Sequence, residues 1–280
     1  MRFKVSSFLS YEVFSTTTFI FNIQVASSAT QLIISESLTI TPEIKYEKFV
    51  LQNSATRFIK IEVEKVTNFS ISYQAEVDVL HELIRDEKLS GSIPIIDLDN
   101  EVLPFISPSR YCESDKLLDY SHKQFGYLPN EFAKVKAINE WVFNSIAYKA
   151  GTSDSSRSAN DVLALKEGVC KDFAHLAIAL CRALDIPARY FTGYAYALDP
   201  PDFHACFETY VGGKWLFFDP TQLSIPNGLV KIANAKDASE VAVASFFGEV
   251  NCTFMKIECH PVTTDFIPLA TKENEAVSYG

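Results

Sequence analysis

The sequence predicts an α+β protein built in two parts, and three observations carry that reading. Alternation of apolar and polar residues with period two recurs through the first hundred residues. One continuous helical stripe starts at Cys170, and three strand-like runs follow it, two of them joined by Gly212-Gly213. Strands, then helices, then strands again indicate helices packed on an antiparallel sheet rather than the regular βαβ alternation of a parallel one. The expected division is an antiparallel, β-sandwich-like N-terminal domain over residues 1–100 and a helix-on-sheet domain over residues 101–280.

Residues 1–14 alternate polar with apolar positions and read as a first strand. They lack the continuous apolar stretch and small-residue cleavage site of a secretory leader. Phe19, Phe21, Ile23 and Val25 alternate in the same way. So do Ile59, Ile61 and Val63, and then Phe69, Ile71, Tyr73, Ala75, Val77 and Val79. This is the pattern of antiparallel strands with one buried face. Residues 92–109 place Pro94, Pro104 and Pro108 around the acidic run Asp97-Leu98-Asp99-Asn100-Glu101. That run lacks the glycine and the distant glutamate of a calcium hand, so it reads as an interdomain linker.

From Asp115 the pattern turns helical. Val135, Ile138, Val142 and Ile146 mark a helix over 134–148, and a short one is expected over 160–165. In the helix that begins at Cys170, Phe173, Leu176, Ala177, Leu180, Cys181 and Leu184 share one face. Gly168 permits a tight turn into this helix, and Asp185-Ile186-Pro187 ends it. Strands are then expected at 188–194, 204–211 and 215–219.

Hydrophobic residues make up 48% of the chain and charged ones 21%, the balance of a globular protein. A formal charge of −10 argues against nucleic acid or an anionic membrane surface as partner, because either needs a basic face. No stretch approaches the roughly 20 apolar residues that span a bilayer. The six cysteines (112, 170, 181, 206, 252 and 259) have no paired spacing and read as reduced thiols of a cytoplasmic protein. A metal site at Cys252, Cys259 and His260 lacks the close cysteine pairs of structural zinc, and no cofactor is expected.

Three polar residues carry the chemistry. Cys170 opens a helix, where unpaired N–H groups and the helix dipole favour thiolate over thiol. It lies off the apolar stripe, whereas Cys181 lies on it. His204 and Asp219 lie on strands joined through Gly212-Gly213, a two-residue hairpin turn. With Val211 opposite Lys214, Thr221 faces His204 and Asp219 faces Cys206. His204 and Asp219 are then diagonal neighbours on one face, roughly 7–8 Å apart at the backbone. A turn one residue longer would send Asp219 to the other face. Asp172 reads as a capping carboxylate, His175 as a structural, hydrogen-bonding histidine, and His81 as plain structure.

The strings around these residues resemble the transglutaminase-like superfamily, and in particular its bacterial branch described as cysteine proteases. The run from Gly168-Val169-Cys170-Lys171-Asp172-Phe173-Ala174-His175 to Cys181-Arg182-Ala183-Leu184-Asp185-Ile186-Pro187-Ala188-Arg189-Tyr190 is similar to that family's nucleophile helix. His204-Ala205-Cys206-Phe207-Glu208 and Trp215-Leu216-Phe217-Phe218-Asp219-Pro220-Thr221 are similar to its histidine and aspartate strands. Pro108-Ser109-Arg110-Tyr111-Cys112 is similar to the stretch before its core, and residues 1–100 more loosely resemble the β-rich region that precedes it in bacteria. The resemblance implies a papain-like, transglutaminase-like catalytic domain with Cys170, His204 and Asp219 as the catalytic triad. One departure is expected to matter. The family usually places tryptophan two residues after the histidine, where this chain has Cys206, so a shield over the His–Asp pair is missing.

These readings lead to a thiol acyltransferase or hydrolase, with a cysteine protease or amidase first. Its expected partner is a peptide, protein or amide substrate. A protein-glutamine transglutaminase with an amine acceptor is the alternative enzyme. From another class, a catalytically idle binding scaffold remains open.

Overall fold

The computed structural model describes residues 1–51, 54–85, 89 and 91–280. The first part of the chain runs β1 (Arg2–Val13), β2 (Thr17–Phe21), β3 (Gln31–Thr41), β4 (Tyr46–Val50), β5 (Arg57–Val63), β6 (Val66–Val79) and β7 (Glu82–Arg85). The helical middle holds α1 (Leu118–Phe125), α2 (Glu131–Ser145), β8 (Ala147–Tyr148), α3 (Ala159–Leu165), β9 (Glu167–Gly168) and α4 (Cys170–Arg182). The remainder supplies β10 (Ala188–Ala195), β11 (Phe203–Val211), β12 (Lys214–Phe218), β13 (Leu229–Ala235), β14 (Ala244–Phe247), β15 (Val250–Pro261) and β16 (Glu275–Ser278).

Two four-stranded sheets, ordered β15-β1-β6-β3 and β14-β2-β5-β4, form the sandwich. Rings from both close its interior. Tyr11 and Phe69 come from one sheet and Phe19 from the other, with centroids 5.2 Å (Tyr11–Phe19) and 5.1 Å (Phe19–Phe69) apart. Each such ring, buried completely or nearly so, contributes about 1.5–3 kcal/mol through burial. Both sheets take their outermost strand at one edge from the C-terminal part of the chain: β15 pairs with β1 and β14 with β2. The local alternation that marks β1, β5 and β6 gives no sign of this return.

The third sheet has six strands in the order β13-β10-β11-β12-β16-β7. It draws β7 from before the linker region, so the sheets do not divide where the composition changes near residue 100. Helix α4 packs on this sheet with α2 and α3 beside it. Its apolar stripe is buried from Phe173 to Leu184.

Buried polar contacts join the two systems. The Tyr194 hydroxyl donates to the Ile23 carbonyl at 2.6 Å. The Gln31 side chain donates to Ala26 O (2.7 Å) and Lys231 O (2.8 Å) and accepts from Lys231 N–H (2.8 Å). Among the described residues no helix is long and apolar enough to cross a membrane.

Candidate active site

The first turn of α4 is held from inside the protein. Asp172, fully buried, accepts from the Val169 N–H through Oδ2 and from the Ser153 hydroxyl through Oδ1, both at 2.9 Å. It is the cap expected of it, with Ser153 as an added partner. The role of Gly168 differs from the turn expected. It belongs to β9, and a Cβ there would sit 2.7 Å from Asp172 Cβ. Close approach to the capping carboxylate is therefore what requires glycine.

Cys170 is partly exposed, whereas Cys181, on the stripe of the same helix, is fully buried. Burial pushes the Cys181 thiol well up. At the far end of α4, Arg182 is buried. It donates to Ala188 O (3.0 and 2.8 Å), Ser107 O (3.2 Å), Ser109 Oγ (3.1 Å) and Lys236 O (2.7 Å). One guanidinium thus ties the helix to the 107–109 segment, to the start of β10 and to the end of β13.

The β11–β12 hairpin has the expected register. Gly212 and Gly213 both have positive φ (58° and 81°), the type I′ geometry that fits strand twist. The ladder runs from Val211–Lys214 to Phe207–Phe218. Just beyond it His204 Nε2 lies 2.8 Å from Asp219 Oδ2, with 1% and 6% of their side chains exposed. Asp219 also accepts from the Thr221 N–H (2.9 Å) and hydroxyl (2.7 Å) at Oδ1, and from the Ser224 N–H (2.9 Å) and hydroxyl (2.7 Å) at Oδ2.

Burial pushes the Asp219 carboxyl up. The His204 charge and the hydrogen bonds from His204, Ser224 and Thr221 outweigh it and hold Asp219 well below the usual carboxylate range. An ionised Asp219 makes Nε2 the donor of this pair, which leaves Nδ1 as the nitrogen available to a thiol. Burial likewise opposes the His204 imidazolium. The Cys206 sulfur, the Asp219 charge and hydrogen bonds to Asp219 and Cys170 overcome it, so His204 titrates well above its ordinary range. The Cys206 thiol is itself pushed up to about 12 by burial. At neutral pH it is uncharged, and Asp219 supplies the charge that favours the imidazolium.

Several residues beside this cluster carry no sign in the sequence. Ser224 lies in a loop after β12, and nothing in its neighbours points to a carboxylate. Tyr148, just before the β8–β9 pairing ends, has its hydroxyl beside the Cys170 N–H. Burial and the Cys170 sulfur raise that hydroxyl above its ordinary range. His175 accepts from the Ala238 N–H at 3.1 Å and stacks on Tyr111 at 4.9 Å, the structural part expected of it. Burial lowers its imidazolium to about 3.

Among the described residues, His204, Cys206 and Asp219 form the one group of donor atoms close enough together, within 4.8 Å, to hold a metal ion. Two of the three are already engaged with each other, and the carboxylate accepts four further hydrogen bonds. The donor set therefore fits a proton relay better than a coordination shell. Cys252 and Cys259 both lie on β15, the first exposed and the second buried.

Residues 119–220 match the transglutaminase-like superfamily, and residues 1–101 match the bacterial transglutaminase N-terminal domain. A crystal structure from Cytophaga hutchinsonii, described as a "putative cysteine protease", is 47% identical, with a TM-score of 0.97 over 100% of this chain and 98% of that one. This chain belongs to the transglutaminase-like superfamily.

Uncharacterized proteins of Mycobacterium leprae (28% identity over 159 residues) and Mycobacterium bovis (45% over 60 residues) are also similar. These matches span 54% and 21% of this chain, and 56% and 19% of those proteins. Just ahead of the transglutaminase-like core, the stretch before the first helix gains a physical role. Ser109 accepts from Arg182, and the Tyr111 N–H donates to Asp237 at 2.9 Å while its ring covers His175. The expected gap at Cys206 does not open. The His204–Asp219 pair stays buried without tryptophan there.

Proposed function

We propose that this transglutaminase-like protein is a cysteine-dependent hydrolase of peptide or amide bonds, working in a reducing cytoplasm. Cys170 is the nucleophile, His204 the base and Asp219 the group that orients it. The observation that carries this reading is the buried 2.8 Å contact of His204 Nε2 with Asp219 Oδ2 beside a partly exposed Cys170. It fixes the imidazole in the tautomer whose Nδ1 can take a proton.

In the first half-reaction the Cys170 sulfur bonds to the carbonyl carbon and its proton passes to His204 Nδ1. The C–N bond then breaks as the imidazolium returns that proton to the leaving amine. In the second, water attacks the thioester, His204 takes its proton, and the thiol leaves with it. The Cys170 N–H and the Tyr148 hydroxyl are the donors for the developing oxyanion. Losing one such donor costs about 10²–10³ in rate, the effect expected for Tyr148→Phe.

Labelling by iodoacetamide tests the reading, followed at each cysteine by mass spectrometry. Cys170 is expected to react fastest, ahead of the exposed Cys252 thiol, which burial raises above its ordinary range. The advantage should vanish in His204→Ala. Labelling of Cys170 no faster than Cys252 in the native protein would overturn the assignment. Product analysis with a dansylated peptide, with and without added amine, separates hydrolysis from transamidation.

A further inference from the structure

A hollow of about 340 Å³ lies between residues 255–260 of β15 and the loop that leads from Ala195 to Asp202. Six successive residues of one strand line it. Side chains of a strand alternate between faces, so only the backbone edge can present all six to one space. The register shows which groups stand on that edge. The Val262 N–H donates to Arg2 O, and Met1 exchanges hydrogen bonds with Val79 on the opposite side of β1. Even-numbered residues of β1 therefore turn their backbone groups toward β15, where Lys4, Ser6 and Phe8 meet His260, Glu258 and Lys256. The N–H and C=O groups of Met255, Ile257 and Cys259 point the other way, and among the described residues no strand pairs with them.

The wall of the hollow opposite this edge approaches the candidate active site. Asp202, on the far wall of the hollow, precedes His204 by two residues and acts on it electrostatically. Tyr148 interacts with Cys170, His204 and Asp202 alike. The charges around the hollow are uneven. Lys256 and Glu258 pair with each other at 2.9 Å. Asp202 accepts a hydrogen bond from the Phe203 N–H at 2.7 Å, and no ion pair neutralises it among the described residues. The chain's charge of −10 adds to its field.

We propose that this hollow is the substrate-binding cleft: an extended polypeptide pairs its main chain with the Ile257 and Cys259 edge of β15, and Asp202 receives a basic side chain next to the bond presented to Cys170. The proposal rests on the peptide-hydrolase reading and gives the sandwich a part in it. The sandwich supplies the strand on which substrate is laid, through a segment that returns from the far end of the chain. Strand addition of this kind draws affinity from main-chain hydrogen bonds and selectivity from flanking pockets.

The test is binding of fluorescein-labelled Thr-Val-Thr-Lys-Thr-Val-Thr to the Cys170→Ala protein, followed by fluorescence anisotropy. N-methylation of alternate amides of the peptide should weaken binding about tenfold or more, because it removes the strand's donors without touching the protein. Lys→Glu in the peptide should weaken it about fivefold or more, and Asp202→Asn should erase that preference. Equal binding of methylated and unmethylated peptides, or no binding of either, overturns the proposal. Persistence of the lysine preference in Asp202→Asn overturns the assignment of Asp202. The readout needs no turnover. A wild-type protein that binds these peptides and cleaves none sinks the hydrolase reading alone. Cleavage with the same KM for methylated and unmethylated peptides sinks the cleft alone.

Discussion

The sandwich and the six-stranded sheet both bury apolar side chains, but they bury different polar ones. In the sandwich the buried polar residues, Ser7, Thr17, Asn22, Gln24, Gln31 and Thr56, are uncharged. The buried charged and imidazole side chains among the described residues all lie between 172 and 237: Asp172, His175, Arg182, His204, Glu208, Asp219, Lys231 and Asp237. Taking a charge out of water costs several kcal/mol unless partners replace the solvent. A core that buries so many must hold each in one arrangement. The sandwich needs only volume and pattern. The difference separates a region organised around chemistry from one organised around surface area, and each prediction below can break or sharpen it.

The largest effect is expected at Cys170. On the proposed chemistry Cys170→Ala should lower kcat by a factor on the order of 10⁴ or more while the urea midpoint stays near wild type, since the side chain is partly exposed. Asp219→Asn should lower kcat about 10⁴-fold, because an amide facing Nε2 favours the wrong tautomer. A sandwich substitution that cost as much activity with the fold intact would dissolve the distinction between the regions.

Glu208→Gln probes buried charge without chemistry. Glu208 is fully buried, accepts from Arg189 at 2.6 Å and Asn234 at 3.0 Å, and meets Lys231 at 3.5 Å. The change keeps shape and strands two cations, so it should destabilise by about 3–5 kcal/mol in urea unfolding. A cost below about 1 kcal/mol would mean that solvent already reaches the cluster.

What the sequence made legible follows the same division. Helix α4 could be read because its stripe and its first turn lie within one local stretch. The hairpin could be read because two glycines set a register that then places His204 and Asp219 on one face. Strands β3 and β4 escaped because, lying at or near sheet edges and largely exposed, they need no alternation. Strands β14, β15 and β16 escaped for another reason. β14 and β15 pair with β2 and β1, well over 200 residues away, and β16 sits between β7, about 190 residues away, and β12, about 60 away; no local pattern encodes such distances. Ser224 was hidden because a loop serine carries no periodicity, and the need for Gly168 because its neighbour is a side chain rather than a turn.

A pH series tests the imidazoles. His175 is buried with its imidazolium lowered to about 3 by burial. The unfolded chain takes up that proton near pH 6.5 and the folded one refuses it. Its stability contribution is therefore intact above 6.5 and erodes as pH falls toward 3, by about 2 kcal/mol at pH 5. His204 is shifted the other way, so its contribution is fully present below 6.5 and is lost only as pH rises through its folded value. Between pH 6.5 and 5 the slope thus belongs chiefly to His175, with a smaller part of the same sign from the half-buried His81, whose imidazolium burial also lowers. His175→Gln should flatten it in urea titrations, and an unchanged slope would place the missing proton elsewhere.

The smallest effect is the most pointed. Thr209 lies in β11, fully buried, and its hydroxyl has no partner among the described residues. Where charge is retained for chemistry, removing one partner costs stability. An unpartnered hydroxyl that serves nothing should do the opposite, because burying it forfeits its bonds to water. Thr209→Val keeps the branched shape and should stabilise the protein by about 1 kcal/mol with kcat unchanged, whereas Ile71→Val in the sandwich should cost about 0.5–1.5 kcal/mol. If Thr209→Val instead lowers kcat, the strand that carries His204 depends on that hydroxyl, and the polar residues of the core form a larger functional unit than the hydrogen bonds around Asp219 define.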